Sequence, residues 1–340
     1  MDNNLHHFRL ATKADEQNVL KFLELYWNAN HIYVTWTPLF RYDLLINDNL
    51  NFILAINAND EIDGILGFIQ YSPELEGSDI FTVLWKVKPK NGDPMLGVTL
   101  LTSLVENYKF RVVSTVGANK KTLPIYEYCG YLTGQLKHYY ILNTQLTAFS
   151  IAANVPPQIT ESTIAENSLV LFDSFESLEK VFNIEQYKSR IPYKSPWYIN
   201  KRYFNHPIFK YKVFGIPNSQ HNINSIIIAR EITIENASVL RIVDFIGDAN
   251  DLQYAGSSLK FILQQHGYEY VDFYQHGIPH EALTTAGFTL KDETTGIIIP
   301  NYFEPFVQEN TTINFFSTST TQQVFVFKAD GDQDRPNKVN

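Results

Sequence analysis

The sequence predicts an α/β (α+β) chain of two tandem domains, each a mixed, mostly antiparallel sheet flanked by helices. Residues 81–131 run strand, Gly-containing loop, helix, strand and a short helix closed by Cys129-Gly130-Tyr131. Residues 238–288 repeat that order with almost no identity and close on Gly287-Phe288, which reads as a duplication of fold. The 340 residues also exceed what one core organises, roughly 250–300. Between the copies, residues 144–165 lose periodicity around Pro156-Pro157, which sets the expected domains at 1–150 and 151–340.

Taken in order, residues 7–10 read as a strand, and Thr12 to Asp15 as a helix start. Val19, Phe22, Leu23 and Tyr26 then share one helical face. A polar-aromatic stretch with Trp27, His31, Tyr33, Trp36, Phe40, Arg41 and Tyr42 lacks a clean period and frames a pocket as helix or loop. Residues 52–56 and 64–71 form a hairpin across turn residues 57–61. Phe81, Val83, Trp85 and Val87 alternate with Thr82, Leu84 and Lys86 as a strand does. Asn91-Gly92-Asp93-Pro94 ends it, and Leu96, Leu100, Leu101 and Leu104 recur at helical spacing. A strand, turn and helix start in this order aim backbone N–H groups at one spot, a place for an anion. One further strand covers 136–143.

In the second half, 168–172 and 213–214 look extended, 225–230 and 238–244 are strands, and 252–265 is a helix ended by His266-Gly267. Strand 268–274 and short helix 280–286 complete the repeat, and strands return at 297–300 and 324–328. The terminal KADGDQDRPNKVN has two readings. It is a disordered acidic tail, or a turn at Gly331 that presents Asp330, Asp332, Asp334 and Arg335 beside the strand before it.

Composition excludes several classes. A net charge of −9 with no Lys/Arg run argues against nucleic acid. No apolar run is long enough for a membrane span. A single cysteine excludes an internal disulfide, and with no leader at the start it points to a cytoplasmic protein. The 9 histidines show no paired spacing for a metal, so none is expected. The 24 Phe and 20 Tyr serve as core or as a wet binding wall.

Residues 7–143 resemble the Gcn5-related N-acetyltransferase (GNAT) superfamily. The resemblance rests on Phe8-Arg9-Leu10-Ala11-Thr12 with Asp15, on Gly64-Ile-Leu-Gly67-Phe68, and on Asn119 followed seven residues later by Tyr126 before Gly130-Tyr131. It implies acyl-CoA as co-substrate. Asn119 would contact the pantetheine arm, Tyr126 would protonate the departing thiolate, and the Val87–Lys88 main chain would polarise the thioester carbonyl. Tyr126 has a second reading, as a residue packed under Gly130. Val87-x-Pro89 stands at the family's spacing, but Gly92-Asp93-Pro94-Met95-Leu96-Gly97 keeps only the last glycine of the pyrophosphate loop. Lys88, Met95, Leu96, Gly97 and Val98 complete the implied cofactor set, with Lys88 and Lys90 able to balance phosphate charge.

The whole chain resembles the tandem-GNAT sugar N-acyltransferases of bacterial surface-polysaccharide (lipopolysaccharide, O-antigen, capsule) clusters. The segments that carry this are 241–245, 270–274, 300–306 and 330–337. The implied acceptor is a nucleotide-linked amino sugar, a dTDP-3-amino-3,6-dideoxyhexose, receiving an acetyl or 3-hydroxybutanoyl group. Gly247-Asp-Ala-Asn-Asp251 carries aspartates that would repel a pyrophosphate, so the second half is expected to shape the acceptor site instead. Trp197, Tyr198, Arg202, Tyr203 and His206 make a nucleotide wall, or an aromatic face packed into the domain interface. Asp244, Asp272, Tyr274 and His276 lie at strand ends facing the expected cleft, where carboxylates hold sugar hydroxyls or cap the next helix, and the resemblance adds Arg241 of segment 241–245 to the acceptor set. His31, Glu76, Asp79 and His138 are candidate bases, although a sugar amine can also lose its proton to a water chain. Two rivals stand: an aminoacyl-tRNA-dependent transferase, against which the net charge argues, and a non-catalytic CoA or nucleotide-sugar binder, against which Asn119 and Tyr126 argue.

Overall fold

The computed structural model describes residues 6–89, 92–157 and 168–338. The first half runs β1 (His6–Thr12), α1 (Glu16–Tyr26), α2 (Ile32–Thr35), α3 (Thr37–Leu44), β2 (Leu45–Ile46), β3 (Asn49–Asn57), β4 (Ile62–Gln70), β5 (Asp79–Val87), α4 (Leu96–Asn107), β6 (Val112–Ala118), α5 (Leu123–Tyr128), β7 (Leu132–Gln135) and β8 (Lys137–Leu142). The second runs β9 (Val170–Phe172), α6 (Phe175–Glu179), α7 (Pro196–Ile199), β10 (Lys212–Pro217), β11 (Ile223–Ile234), β12 (Ala237–Ile246), α8 (Gly256–His266), β13 (Tyr270–His276), α9 (His280–Thr285), β14 (Thr289–Leu290), β15 (Tyr302–Phe303), β16 (Phe306–Val307), β17 (Asn314–Ser317) and β18 (Val326–Phe327). The turn that leads into α1 is closed by Asp15, whose carboxylate accepts the Thr12 N–H at 2.8 Å. Arg9, bonded to the same carboxylate at 2.7 Å, holds it at about 2.

Two mixed sheets result, as the sequence predicts. The first is ordered β1-β3-β4-β5-β6-β17-β7 with β2 on β3, the second β14-β8-β13-β12-β11-β10-β9 with β18 on β13. The duplicated grammar has a structural counterpart: β5 and β6 are parallel and joined through α4, and β12 and β13 are parallel and joined through α8. Each pair holds register briefly, Asp79–Phe81 against 112–114 and Leu240–Ile242 against 271–273, and then parts.

The halves exchange strands across residue 150. β8 leaves the first half to lie between β13 and β14, while β17 crosses back between β6 and β7. Both suit a central position: all four residues of β17 are buried, as are 138–141 of β8. Gly134 on β7 lets β17 in, because a Cβ there would stand 2.7 Å from the Phe315 ring. A second tie is apolar. Phe52, Leu54, Ile65 and Phe81 of the first half share one core with Phe172, Leu178, Tyr198, Ile228 and Val243 of the second. The opposite face of the first sheet is covered by α4, whose Leu96, Leu100, Leu101 and Leu104 pack on Ile53, Leu66, Phe68, Ile80 and Val113.

Some expectations change. The stretch expected as a strand at 297–300 makes only one bridge, Ile298 to Ala153. The polar-aromatic stretch folds into α2 and α3, with Pro38 in the first turn of α3. The acidic segment packs into the fold, with Asp330 and Asp334 fully buried. Of the boundary stretch, 158–167 lies outside the described residues, as do Lys90 and Asn91 of the loop before α4.

Separate expression of 1–150 and 151–340 deprives each sheet of a central strand. Neither piece is expected to melt cooperatively alone, and co-expression should restore one transition by calorimetry. A cooperative melt of 1–150 by itself would contradict the exchange.

Candidate active site

The gap between β5 and β6 is the first feature of the site. β5 bulges in its middle, where Ile65 pairs Lys86 but Gly67 pairs Val83, and Leu84 is held at φ 51°. A bulky residue in that left-handed region is strained, and a bulge is what bends the strand. Beyond it, Val87 lies opposite Gly64 while the Lys88 N–H donates to the Asp63 carbonyl at 2.7 Å, toward β4. Successive amides alternate in direction, so the Val87 N–H points the other way, into the gap. On the far side, the Val113 carbonyl accepts from Thr318 beside β17, which turns the Val116 amide toward β5. That amide donates to the Asp330 carbonyl at 3.1 Å, and Gly331 bridges Val116 in parallel. The C-terminal segment therefore occupies the base of the gap.

The start of α4 lies close by. Asp93 turns the chain, its carboxylate accepting the Met95 N–H at 2.8 Å and its carbonyl the Leu96 N–H at 3.3 Å. The amides of Gly97 and Val98 have no backbone acceptor among the described residues. Leu96 points into the core, Met95 is exposed, and Gly97 and Val98 are half-buried. A Cβ on Gly97 would meet only the Trp85 indole, at an ordinary 3.6 Å. Packing does not require this glycine; close approach of a ligand to the helix start would. Lys88 sets its ammonium 3.4 Å from both Glu61 and Asp63.

Asn119 and Tyr126 lie beyond β6. Asn119 caps the turn before α5: its Oδ1 accepts the Lys121 N–H at 2.9 Å and its carbonyl the Thr122 N–H at 2.8 Å. Its exposed Nδ2 has no acceptor among the described residues. Tyr126 is buried, stacked on Phe316 of β17 at 3.9 Å and tilted against Trp85 at 5.9 Å. Burial pushes its hydroxyl up to about 12, against a lowering bond with Thr122, so it is a proton donor at neutral pH. The ring that braces it comes from the second half.

The residues proposed for the acceptor come together, mostly as a buried ionic network. Arg241 forks onto Asp272 at 2.6 and 2.9 Å and also donates to the carbonyls of Pro300 and Asn301. Burial would raise the Asp272 carboxyl, but Arg241 and then His138 overcome it and hold it at about 2. Asp244 takes Lys194 at 2.6 Å and the Tyr203 hydroxyl. Arg202 bonds Asp334, and Tyr274 stacks on His138 at 3.7 Å. Tyr198 is buried in the shared core. Trp197 and His206 alone keep partial exposure, Trp197 under the Lys201 ammonium at 4.9 Å and His206 accepting two backbone N–H groups.

The candidate bases are also engaged. His31 caps α2, Glu76 pairs Lys109, Asp79 binds Arg111 and the Tyr193 N–H, and His138 donates toward Asp272. A cavity of about 20 Å³ among Tyr42, Asp43, Phe81, Tyr198 and Lys201 has room for a water. A groove of about 330 Å³ opens between α1 and the β3–β4 turn beside Lys88. Among the described residues no group of three or more His, Cys, Asp or Glu could hold a metal, and no helix is long and apolar enough to cross a membrane. The sequence missed the Leu84 bulge, for which it carries no signal, and Trp85 beside Gly97. The Gly331 turn was visible only as one of two readings.

Solved structures share this architecture. A GCN5-related N-acetyltransferase of Anabaena variabilis matches with a TM-score of 0.55 at 12% identity, over 92% of this chain and 72% of that one. A conserved Enterococcus faecalis protein of unknown function, called a probable N-acyltransferase, matches at 0.55 and 9% identity, over 91% and 71%. A GCN5-related N-acetyltransferase of Kribbella flavida matches at 0.51 and 10%, over 93% and 72%. No family model matches the sequence, and no curated protein is similar to it. Such identities show the fold alone, the tandem GNAT-type architecture that the sequence predicts.

Two outcomes follow from the geometry. Gly97→Ala adds a methyl in the first turn of α4 where there is room for it, so stability should be kept or rise by up to about 0.5 kcal/mol while acetyl-CoA binding weakens at least several-fold. Unchanged affinity in calorimetry would separate Gly97 from the ligand. Burial lowers His138 to about 4, and takes His31 and His206 to about 3. The unfolded chain, with histidine near 6.5, binds protons that the fold excludes, so stability is full above about 6.5 and lost on acidification toward 4. Tm should be level from about pH 7 to 8 and decline from 6.5 to 4.5, where a flat profile would contradict the neutral histidines.

Proposed function

We propose that the chain is an acyl-CoA-dependent N-acyltransferase whose acceptor is the amine of a nucleotide-linked amino sugar, a dTDP-3-amino-3,6-dideoxyhexose, with acetyl or 3-hydroxybutanoyl as the group transferred. The observation that carries this is the parting of β5 from β6 with the Val87 N–H aimed into the gap. A thioester carbonyl there would meet a preorganised donor, the kind of interaction that stabilises a developing oxyanion. The start of α4 offers the Gly97 and Val98 amides to the pyrophosphate, and the Asn119 Nδ2 is open to a pantetheine carbonyl. The amine attacks the carbonyl carbon directly, the C–S bond breaks, and Tyr126 gives the sulfur its proton. The sugar and its nucleotide rest on the sequence resemblance; Trp197 and His206, still part-exposed, are the members of the expected wall that a nucleotide could reach.

Thiol release measured across acyl-CoAs and amino-sugar nucleotides tests this. Turnover with a 3-amino sugar is expected, and silence with every amine would remove the enzymatic reading. Tyr126→Phe should lower kcat about 10²-fold or more while acetyl-CoA affinity stays within about two-fold. An unchanged kcat would take Tyr126 out of the chemistry.

A further inference from the structure

We propose that Asp332, delivered by the C-terminal segment, is the group that takes the proton from the acceptor amine; this rests on the N-acyltransferase reading above. The segment enters the gap through two glycines. A Cβ on Gly331 would lie 1.9 Å from the Val116 carbonyl oxygen, so only glycine lets this backbone sit against β6. Gly117, at φ 99°, makes the matching allowance, since a Cβ there would stand 2.6 Å from the Asp332 Oδ1. The two bare positions bring a carboxylate onto the strand that lines the gap, at the level where the Val116 amide turns toward β5.

The three carboxylates of the segment differ in their engagement. Asp330 is fully buried and holds the Tyr71 hydroxyl at 2.8 Å and Lys194 at 2.7 Å. Asp334 is fully buried and holds Arg230 at 3.0 Å, the Tyr211 hydroxyl at 2.8 Å and Arg202. Asp332 keeps a side chain 38% exposed, with the Gln333 amide at 3.4 Å and Arg335 at 3.9 Å, both at the edge of bonding distance. Among the described residues no other charged group lies within ion-pair distance of it. Nε and Nη1 of Arg335 have no hydrogen-bond partner among the described residues, so the pair is not closed. His31, Asp79 and His138 are each held in the fold and Glu76 pairs Lys109 on the exposed surface, whereas Asp332 lies over Gly117 of β6, on the segment that bonds the strand lining the gap.

The step balances without a further reactant. A carboxylate oxygen of Asp332 takes one proton from the acceptor ammonium, and the freed lone pair forms the C–N bond at the thioester carbon. Collapse of the tetrahedral adduct breaks C–S, and the pair passes to sulfur. Sulfur receives a proton from Tyr126, which regains one from the nitrogen, and Asp332 returns its proton to solvent through its exposed edge. The products are amide, free thiol and one proton.

Acetyl-CoA binding by calorimetry and thiol release with a dTDP-3-amino-3,6-dideoxyhexose are measured on the full chain and on Asp332→Asn and Asp332→Glu. Asp332→Asn should bind acetyl-CoA as the parent does, melt within a few degrees of it, and lose about 10²-fold or more of kcat at neutral pH. The loss should shrink as pH rises through the amine's own pKa, and Asp332→Glu should recover part of the rate. A parent that turns over beside an equally active Asp332→Asn overturns the inference and leaves the enzymatic reading intact. Loss of acetyl-CoA binding or of the cooperative melt in both variants makes Asp332 structural and overturns it as well. A parent that neither binds acetyl-CoA nor releases thiol overturns the reading and the inference together.

Discussion

The hydrogen bond from the Val116 amide to the Asp330 carbonyl joins the last segment of the chain to a strand of the first sheet. One residue earlier, the Ala329 N–H donates to the Val243 carbonyl of β12, and β18 pairs with β13 just before that. The segment thus enters the gap of the second sheet, crosses, and ends in the gap of the first. β17 and β8 flank the two gaps from outside, on the far sides of β6 and β13.

The duplicated halves are consequently unequal. In the second, the gap between β12 and β13 holds β18, with the Lys328 ammonium bonded to Asn301 inside it. The start of α8 is covered too: a Cβ on Gly256 would stand 2.3 Å from the Ala286 carbonyl oxygen, whereas one on Gly97 at the start of α4 would make an ordinary 3.6 Å contact with the Trp85 indole. Asp248 and Asp251 of the preceding loop are engaged by the Asn250 N–H and the Ser225 hydroxyl. The chain's own backbone fills in one half what remains partly open in the other, which fits one acyl-CoA site per chain in the proposed function.

Much of the fold was legible because it is local. The alternation of Phe81–Val87, the Leu96–Leu104 spacing and the Gly130 and Gly287 stops are written in short windows. The strand exchange was not, since the burial pattern of KHYYIL or NFFS states that a strand is central but not which sheet receives it. Asn119 and Tyr126 were singled out by a spacing that resembles the family's, whereas the Leu84 bulge depends on pairing with β4. Asp244 and Asp272 read as cleft residues because charge at strand ends usually faces water, and Arg241 because its segment resembles the family's. Here each has a buried counter-ion, Lys194, Arg241 and Asp272 in turn, and only the three-dimensional pairing reveals it.

Buried ions are a poor source of net stability, because desolvation opposes their attraction, but they impose geometry. Lys194 sits between Asp244 of β12 and Asp330 of the tail, and Asp330 also takes the Tyr71 hydroxyl from the first half. Arg202 and Arg230 hold Asp334 four residues on. An apolar plug of equal volume would fill the same space and still allow the extended tail to slip by one residue. Such a slip would place an Asp Cβ where only Gly331 fits, against the Val116 carbonyl, and would strip the partners from both buried carboxylates. The carboxylates at 330 and 334 therefore set the register in which Asp332, between them, comes to lie over Gly117 of β6.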